Sequence, residues 1–334
     1  MRAVVLVGGF GTRLQPLTLS IPKPMLPVGH VPIIERLVTN LGRSGISDVT
    51  FALGFKPEPF IEAFPSGECA GVALHYAVEP SPLDTAGAIR FAAEAAGIAE
   101  TFVVVNGDVL TDLDVARLVQ FHRDRGAEAT LHLIPVTDPS SYGVVGLDTD
   151  GRVERFVEKP APGTAPSNLV NAGTYVLEPS VLDRIPSGEK VSIERVTFPA
   201  VAAARGLFGL ATDDYWIDTG QPEYYLQANL DVLSGMRRND SSVAVHDAAE
   251  VHATAVVDHA LIGPGATVAR HAVVRRSVVL PGATIDEGAT VTDSLVMGRV
   301  GAGAVVHGCV IGAVGQVAPN EHVDGERRPP PIAR

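Results

Sequence analysis

Along the first two-thirds of the chain, short β-branched runs alternate with stretches whose apolar residues fall at helical spacing. Residues 3–7 (Ala-Val-Val-Leu-Val) form a continuous apolar run of the kind expected for a strand buried on both faces. Residues 32–44 set Ile33, Ile34, Leu37, Val38 and Leu41 on one helical face. The alternation continues with strands expected over 48–53, 74–77, 101–106 and 129–135, and helices over 56–64, 85–96 and 114–125. This order predicts an α/β fold, a doubly wound and mostly parallel sheet with helices on both faces. Such sheets bind ligands beyond the carboxyl ends of their strands. The loops after Val7, after Val105 and around Pro80 are therefore the places to look.

After Leu233 the pattern changes. Residues 234–248 open with a polar run, Ser-Gly-Met-Arg-Arg-Asn-Asp-Ser-Ser, and read as a linker after an N-terminal domain over 1–233. Over 249–322 the helical period disappears and apolar residues recur every six positions. Ile262, Val268, Val274 and Leu280 keep that step, as do Ile285, Val291 and Met297 after a slip of one residue. Small residues fill many positions between. This predicts a parallel β-helix of hexapeptide repeats, with about four coils. An antiparallel sandwich is the alternative, because alternation by two is also visible in places. Residues 323–334, with three consecutive prolines, read as an extended tail.

Composition narrows the class. With 334 residues, 46% hydrophobic and 19% charged, the chain has a globular composition and room for two domains. Lys and Arg number 26 against 38 Asp and Glu, a net charge of −12 that argues against a long basic groove for nucleic acid. Basic groups that meet a polyanionic ligand must then be few and well placed, which singles out Arg13 and Lys23. The first apolar run stops at Gly8-Gly9, and no run of roughly 18 apolar residues follows, so neither an export signal nor a membrane span is expected. The expectation is a soluble, cytoplasmic protein. Its two cysteines, Cys69 and Cys309, read as reduced thiols.

The strongest local signal is Gly8-Gly9-Phe10-Gly11-Thr12-Arg13-Leu14, directly after the first strand. Glycines let the backbone turn tightly and let a phosphate approach its N–H groups. The loop lacks the Lys-Ser/Thr pair of a P-loop, and Leu14 stands where a dinucleotide fold needs its third glycine. Alone, it is weak evidence, and a plain tight turn is the alternative. Arg13 lies inside it, however, and Pro22-Lys23-Pro24-Met25-Leu26-Pro27 follows. Prolines on both sides of Lys23 stiffen the backbone that carries its ammonium. A planar guanidinium and a compact ammonium together suit the phosphates of a nucleotide.

The run Gly-Gly-Phe-Gly-Thr-Arg-Leu-x-Pro-Leu-Thr, followed by Pro-Lys-Pro-Met, resembles the signature of the sugar-1-phosphate nucleotidyltransferases, or nucleotide-sugar pyrophosphorylases. The likeness continues in the family's order through Pro82-Leu83-Asp84-Thr85-Ala86-Gly87, Asn106-Gly107-Asp108, Phe156-Val157-Glu158-Lys159-Pro160, Asn171-Ala172-Gly173 and Trp216-Ile217-Asp218-Thr219-Gly220. It spans about residues 3–225, and a left-handed β-helix tail also fits the family. Among its members the chain is most similar to mannose-1-phosphate guanylyltransferases, which share Leu-Val-Gly-Gly, Tyr142-Gly143-Val144-Val145 and the hexapeptide tail.

The resemblance implies transfer of a nucleoside monophosphate from an NTP to a sugar 1-phosphate, with pyrophosphate released. It implies Asp108 and Asp218 as ligands of Mg²⁺, and Arg13 and Lys23 on the phosphates, with Lys159 facing the sugar phosphate. Leu6, Gly8, Gly9, Gly11 and Thr12 would shape the nucleotide pocket, with Thr85 and Gly87 on its opposite wall. Glu158 and Asn171 would take sugar hydroxyls, and Gly143 and Gly173 would allow close backbone approach. Read alone, Asp108 is as well a turn cap, Asp218 a turn aspartate and Glu158-Lys159 an exposed pair.

Two positions depart from the family pattern. Asp84 replaces a glycine, and Val196 stands at the second glutamate of Ser-x-Glu-x-Glu-x-Phe-Pro. Asp84 or Glu79 is a candidate acceptor for the donor edge of guanine. GTP and mannose 1-phosphate are the expected substrates, with glucose 1-phosphate or a cyclitol phosphate such as valienol 1-phosphate as the variant. A silent regulatory subunit is the reading from another class, and retention of Arg13, Lys23, Asp108 and Asp218 argues against it. An acyltransferase in the tail finds no shared context for His252, His259, His271 and His307. Stacked β-helices commonly assemble, so a homo-oligomer is expected, with no nucleic acid or membrane partner.

Overall fold

The computed structural model describes all residues except 10, 55, 56, 239, 333 and 334. Phe10 of the glycine-rich loop, Lys56 at the start of the expected 56–64 helix and the last two residues of the expected tail thus lie outside the described residues. The chain forms two compact units. One is Met1–Gly9 with Ile34–Trp216; the other is Phe10–Ile33 with Ile217–Arg334. The units do not follow chain order: the segment with Arg13 and Lys23 groups with the C-terminal third.

The first unit is built on a ten-stranded mixed sheet. Its centre is four parallel strands in the order Val72–Val78, Asp48–Leu53, Arg2–Leu6 and Phe102–Asn106. Ala3, Val4 and Val5 are fully buried, as a central strand covered on both faces must be. Leu169–Leu177 then pairs antiparallel with Phe102–Asn106 and leads to Gly143–Leu147 and Val153–Glu158. Ala129–Pro135 also pairs with Leu169–Leu177, and Leu207–Ala211 runs parallel to it. The helices Ile33–Arg43, Glu58–Ala63, Asp84–Ala95 and Val115–Arg125 fall where the periodicity sets them. Asp114 caps the last of these, accepting from the N–H groups of Ala116 and Arg117. From Arg2–Leu6 the chain moves to one side for three strands, the short Glu68–Cys69 among them, and then returns to the other side at Phe102–Asn106. The order reverses between those two strands, so the loops after Leu6 and Asn106 open at the switch point.

In the second unit, three five-stranded parallel sheets stack from Glu250–Val251 to Arg327–Arg328, the coiled arrangement of a left-handed β-helix. Each sheet holds five strands, against the four coils expected, and strands continue through the stretch 323–328 expected as tail. The interior repeat also differs from a strict six. Ile262, Val268, Val274, Val279, Ile285, Val291, Val296, Val300, Val306, Ile311, Val317 and Val323 point inward. Val279 and Val296 occupy the places expected for Leu280 and Met297. A coil therefore takes 17 residues from Ile262 to Val279 to Val296, one fewer than three hexapeptides, and this is the slip visible in the sequence.

Both cysteines are free and buried, and burial pushes the Cys69 thiol up to about 11. Among the described residues no helix is long and apolar enough to cross a membrane.

Candidate active site

In the first unit, the parallel register sets Leu6 beside Asn106, so Gly8 and Asp108 both leave the sheet at its carboxyl edge. The contact there is tight. The Gly107 N–H donates to the Leu6 carbonyl at 2.8 Å, and a Cβ on Gly107 would lie 2.6 Å from Val7 Cγ1. Gly107 thus lets Asp108 emerge beside the first strand. On the other side, a Cβ on Gly8 would meet the Gly54 nitrogen at 3.2 Å and Glu79 Oε1 at 3.8 Å. Glu79 is 9% exposed, and its Oε2 accepts the Leu83 N–H at 2.9 Å. Burial raises its carboxyl above the ordinary range, against the lowering effect of that hydrogen bond. Leu6, Gly8, Gly9 and Glu79 therefore share the strand-end face with Asp108. Gly54 and Gly107 belong to it too, and sequence reasoning did not nominate them.

Asp84 has φ of 59°, the left-handed region in which glycine is at ease. Its Oδ1 accepts the Thr85 N–H at 2.8 Å, a local bond that helps an aspartate hold this conformation. A Cβ on Gly87 would lie 2.5 Å from the Glu189 carbonyl oxygen, and its N–H points to the Val191 carbonyl.

A second cluster of the same unit gathers the expected sugar residues. Gly143 and Glu158 are cross-strand partners, and a Cβ on Gly143 would press on Phe156 at 2.7 Å and on Glu158 Oε2 at 2.9 Å. Gly173, at φ 78°, lies against the Asn106 side chain, and Asn171 bonds both the Gly173 N–H and the Tyr175 hydroxyl. Lys159, also in the left-handed region, extends into solvent with its Nζ 4.0 Å from Glu158 Oε1. Glu194 was not foreseen here. Its Oε2 accepts from Thr85 Oγ1 at 2.8 Å and Ser192 Oγ at 2.7 Å, and Thr85 Oγ1 accepts the Ile193 N–H. Glu158 has a raised carboxyl because it is desolvated and because Glu194 is near, although Lys159 and Arg195 pull it down. Val196 is exposed.

In the second unit, Gly11 (φ 58°) turns the chain into the short 3-10 helix Thr12–Leu14. Thr18 Oγ1 donates to the Gly11 carbonyl at 2.8 Å. Lys23 opens the 3-10 turn Lys23–Met25, bracketed by its prolines and nearly buried, and its Nζ lies 3.5 Å from Asp218 Oδ1. The same oxygen accepts the Gly220 N–H at 2.8 Å. Arg13 Nη2 comes within 2.6 Å of where a Cβ on Gly220 would stand. Arg13, Lys23, Asp218 and Gly220 therefore converge within one unit, although Arg13 and Asp218 are some two hundred positions apart in sequence.

The chain belongs to the nucleotidyl transferase family. That family matches residues 2–235, and the GMPPB C-terminal domain matches residues 240–328. The chain is 40% identical to mannose-1-phosphate guanylyltransferase of Mycobacterium tuberculosis over 277 residues, 80% of this chain and 76% of that protein. It is likewise 40% identical over 274 residues to the probable mannose-1-phosphate guanylyltransferase 1 of Oryza sativa subsp. japonica, 79% of this chain and 75% of that protein. Among solved structures, HddC from Yersinia pseudotuberculosis complexed with GMP-PN is 28% identical with a TM-score of 0.58, covering 68% of this chain and 97% of that one. The protein is a sugar-phosphate nucleotidyltransferase.

Proposed function

We propose that the chain transfers GMP from GTP to mannose 1-phosphate, forming GDP-mannose and pyrophosphate. The observation that carries this is the meeting of Arg13, Lys23 and Asp218 around Gly220, which provides the charges a triphosphate needs. The named relatives support guanine and mannose as the particular base and sugar.

In the reaction an oxygen of the sugar phosphate attacks the α-phosphorus in line. A new P–O bond forms, the bond from the α-phosphorus to the bridging oxygen breaks, and pyrophosphate carries away the electron pair. Such transfer asks the protein for positioning and for stabilisation of spreading negative charge. Arg13 holds the departing pyrophosphate and Lys23 the phosphate chain, both cations being fixed by short turns. Lys159, free to reach from its strand end, receives the sugar phosphate. Glu158 and Asn171 accept and donate to sugar hydroxyls, with Glu194 and Thr85 setting their surroundings. Glu79, with Oε1 toward Gly8, reads the N–H edge of guanine. Asp84 is the weaker acceptor, since one oxygen is already engaged by Thr85.

Asp108 and Asp218 are the candidate ligands for Mg²⁺. Among the described residues no three His, Cys, Asp or Glu side chains gather as a closed cage. Carboxylate oxygens on strand-end loops are nevertheless the donors that Mg²⁺ takes when phosphates and water fill its remaining positions. When bound, the ion neutralises phosphate charge.

The test is a panel of NTPs against sugar 1-phosphates in Mg²⁺, with pyrophosphate release measured. Turnover confined to GTP and mannose 1-phosphate supports the proposal. Turnover of GTP with glucose 1-phosphate or a cyclitol phosphate alone reassigns the acceptor.

A further inference from the structure

The loop that carries Arg13 is braced by the last coil of the β-helix, within the second unit. A short helix leaves its final carbonyls without partners of its own. Here they are taken by Arg327, whose Nη1 donates to the Arg13 carbonyl at 2.8 Å and the Gln15 carbonyl at 3.3 Å. Two further contacts come from the same end of the chain. The Ile332 N–H donates to the buried Gln15 side chain at 3.0 Å. Gly312 lies so close to Pro16 that a Cβ on it would fall 2.8 Å from the proline Cβ.

The brace is itself fixed. Arg327 pairs with Val310 in the last strand pair, and the next residue, Arg328, makes a two-pronged bond to Glu321 at 2.8 and 2.9 Å. At its other end the exposed Arg13 side chain brings Nη2 to 2.6 Å from where a Cβ on Gly220 would stand, beside the Asp218 Oδ1 that accepts the Gly220 N–H. A shift of the Arg13 main chain therefore moves the guanidinium out of register with Lys23 and Asp218.

We propose that Arg327 is a positioning residue for nucleotidyl transfer, acting through the main chain of Arg13. The β-helix is then more than a stalk: its final coil sets the geometry of the phosphate-binding cation. The proposal rests on the role given to Arg13 above, and the experiment separates the two.

Full-length Arg327→Ala, Arg327→Lys, Arg13→Ala and the Arg13→Ala/Arg327→Ala double variant are assayed by pyrophosphate release, with GTP and mannose 1-phosphate or the pair the panel identifies. Arg327→Ala is expected to lower kcat by about tenfold or more with the KM for NTP within about threefold, as expected when a contact of the transition state is misplaced. Arg327→Lys, which keeps a cationic donor, restores most of it. In the double variant the Arg327 change has no further effect, because the group it positions is gone. If Arg327→Ala keeps kcat within about twofold, or if its effect multiplies undiminished with that of Arg13→Ala, Arg327 does not act through Arg13. If Arg13→Ala alone turns over like the parent, the role of Arg13 falls first and this inference with it. Should Arg327→Ala fail to fold, Arg327→Gln is read against the same thresholds.

Discussion

At the scale of single residues, backbone conformation explains positions that chemistry alone does not. Asp84 occupies a left-handed conformation that costs most side chains about 1 kcal/mol, and its bond to the Thr85 N–H offsets part of that cost. Asp84→Ala, which keeps the strain and loses the bond, should lower stability by about 1 kcal/mol, whereas Asp84→Gly should not destabilise; urea titration checks both. Gly11 answers two demands at once, a φ of 58° and the nearness of Thr18 Cγ2, 2.9 Å from where a Cβ would stand. Gly11→Ala is expected to reduce turnover at least tenfold through displacement of Thr12–Leu14, measured as kcat. Glu79 and Glu158 were visible as candidate acidic residues, but the burial that lifts both carboxyls was not. Glu194 is the first glutamate of the Ser-x-Glu motif, but its place beside Thr85 and Glu158 was not legible, because folding and not spacing brings them together.

At the scale of elements, the alternation of buried runs and helical stripes was legible because each strand and helix buries a face that its own residues define. Only the ends moved, by a residue or two. The β-helix shows where periodicity stops being sufficient. A six-residue step set Leu280 and Met297 in the interior row; both are buried, yet the 17-residue coil places Val279 and Val296 in that row. Ile285 lies wholly inside, so Ile285→Ala should cost about 2–5 kcal/mol, seen as a lower denaturation midpoint. The final coil also carries a pH signature. Arg328 holds the Glu321 carboxyl down to about 2 from an ordinary 4.5. A lowered carboxyl stabilises the fold above its unfolded value and loses that contribution as pH falls toward the folded one. The melting temperatures of the parent and Glu321→Gln should therefore differ most above pH 5 and converge toward pH 2.

At the scale of the whole molecule, domain boundaries drawn along the sequence differ from the compact bodies the chain forms. Residues 10–33 were expected to fold with the N-terminal two-thirds, yet they belong with Ile217–Arg334. A chain ended at residue 235 would leave that segment without Gly312, Arg327 and Ile332 to pack and bond against. It should release no pyrophosphate from any pair in the panel, while circular dichroism still reports the secondary structure of the first unit.

The sequence by itself determined the α/β sheet, the coiled C-terminal sheets and the chemical identity of the candidate phosphate ligands, because periodicity and residue type are local properties. Tertiary structure alone decided that Arg13 is supported by a residue 314 positions away, that Gly54 and Gly107 make room for the strand-end loops, and which valines face the interior. Those outcomes depend on which surfaces meet when loops close over long stretches of chain, and no repeat in the sequence encodes that meeting.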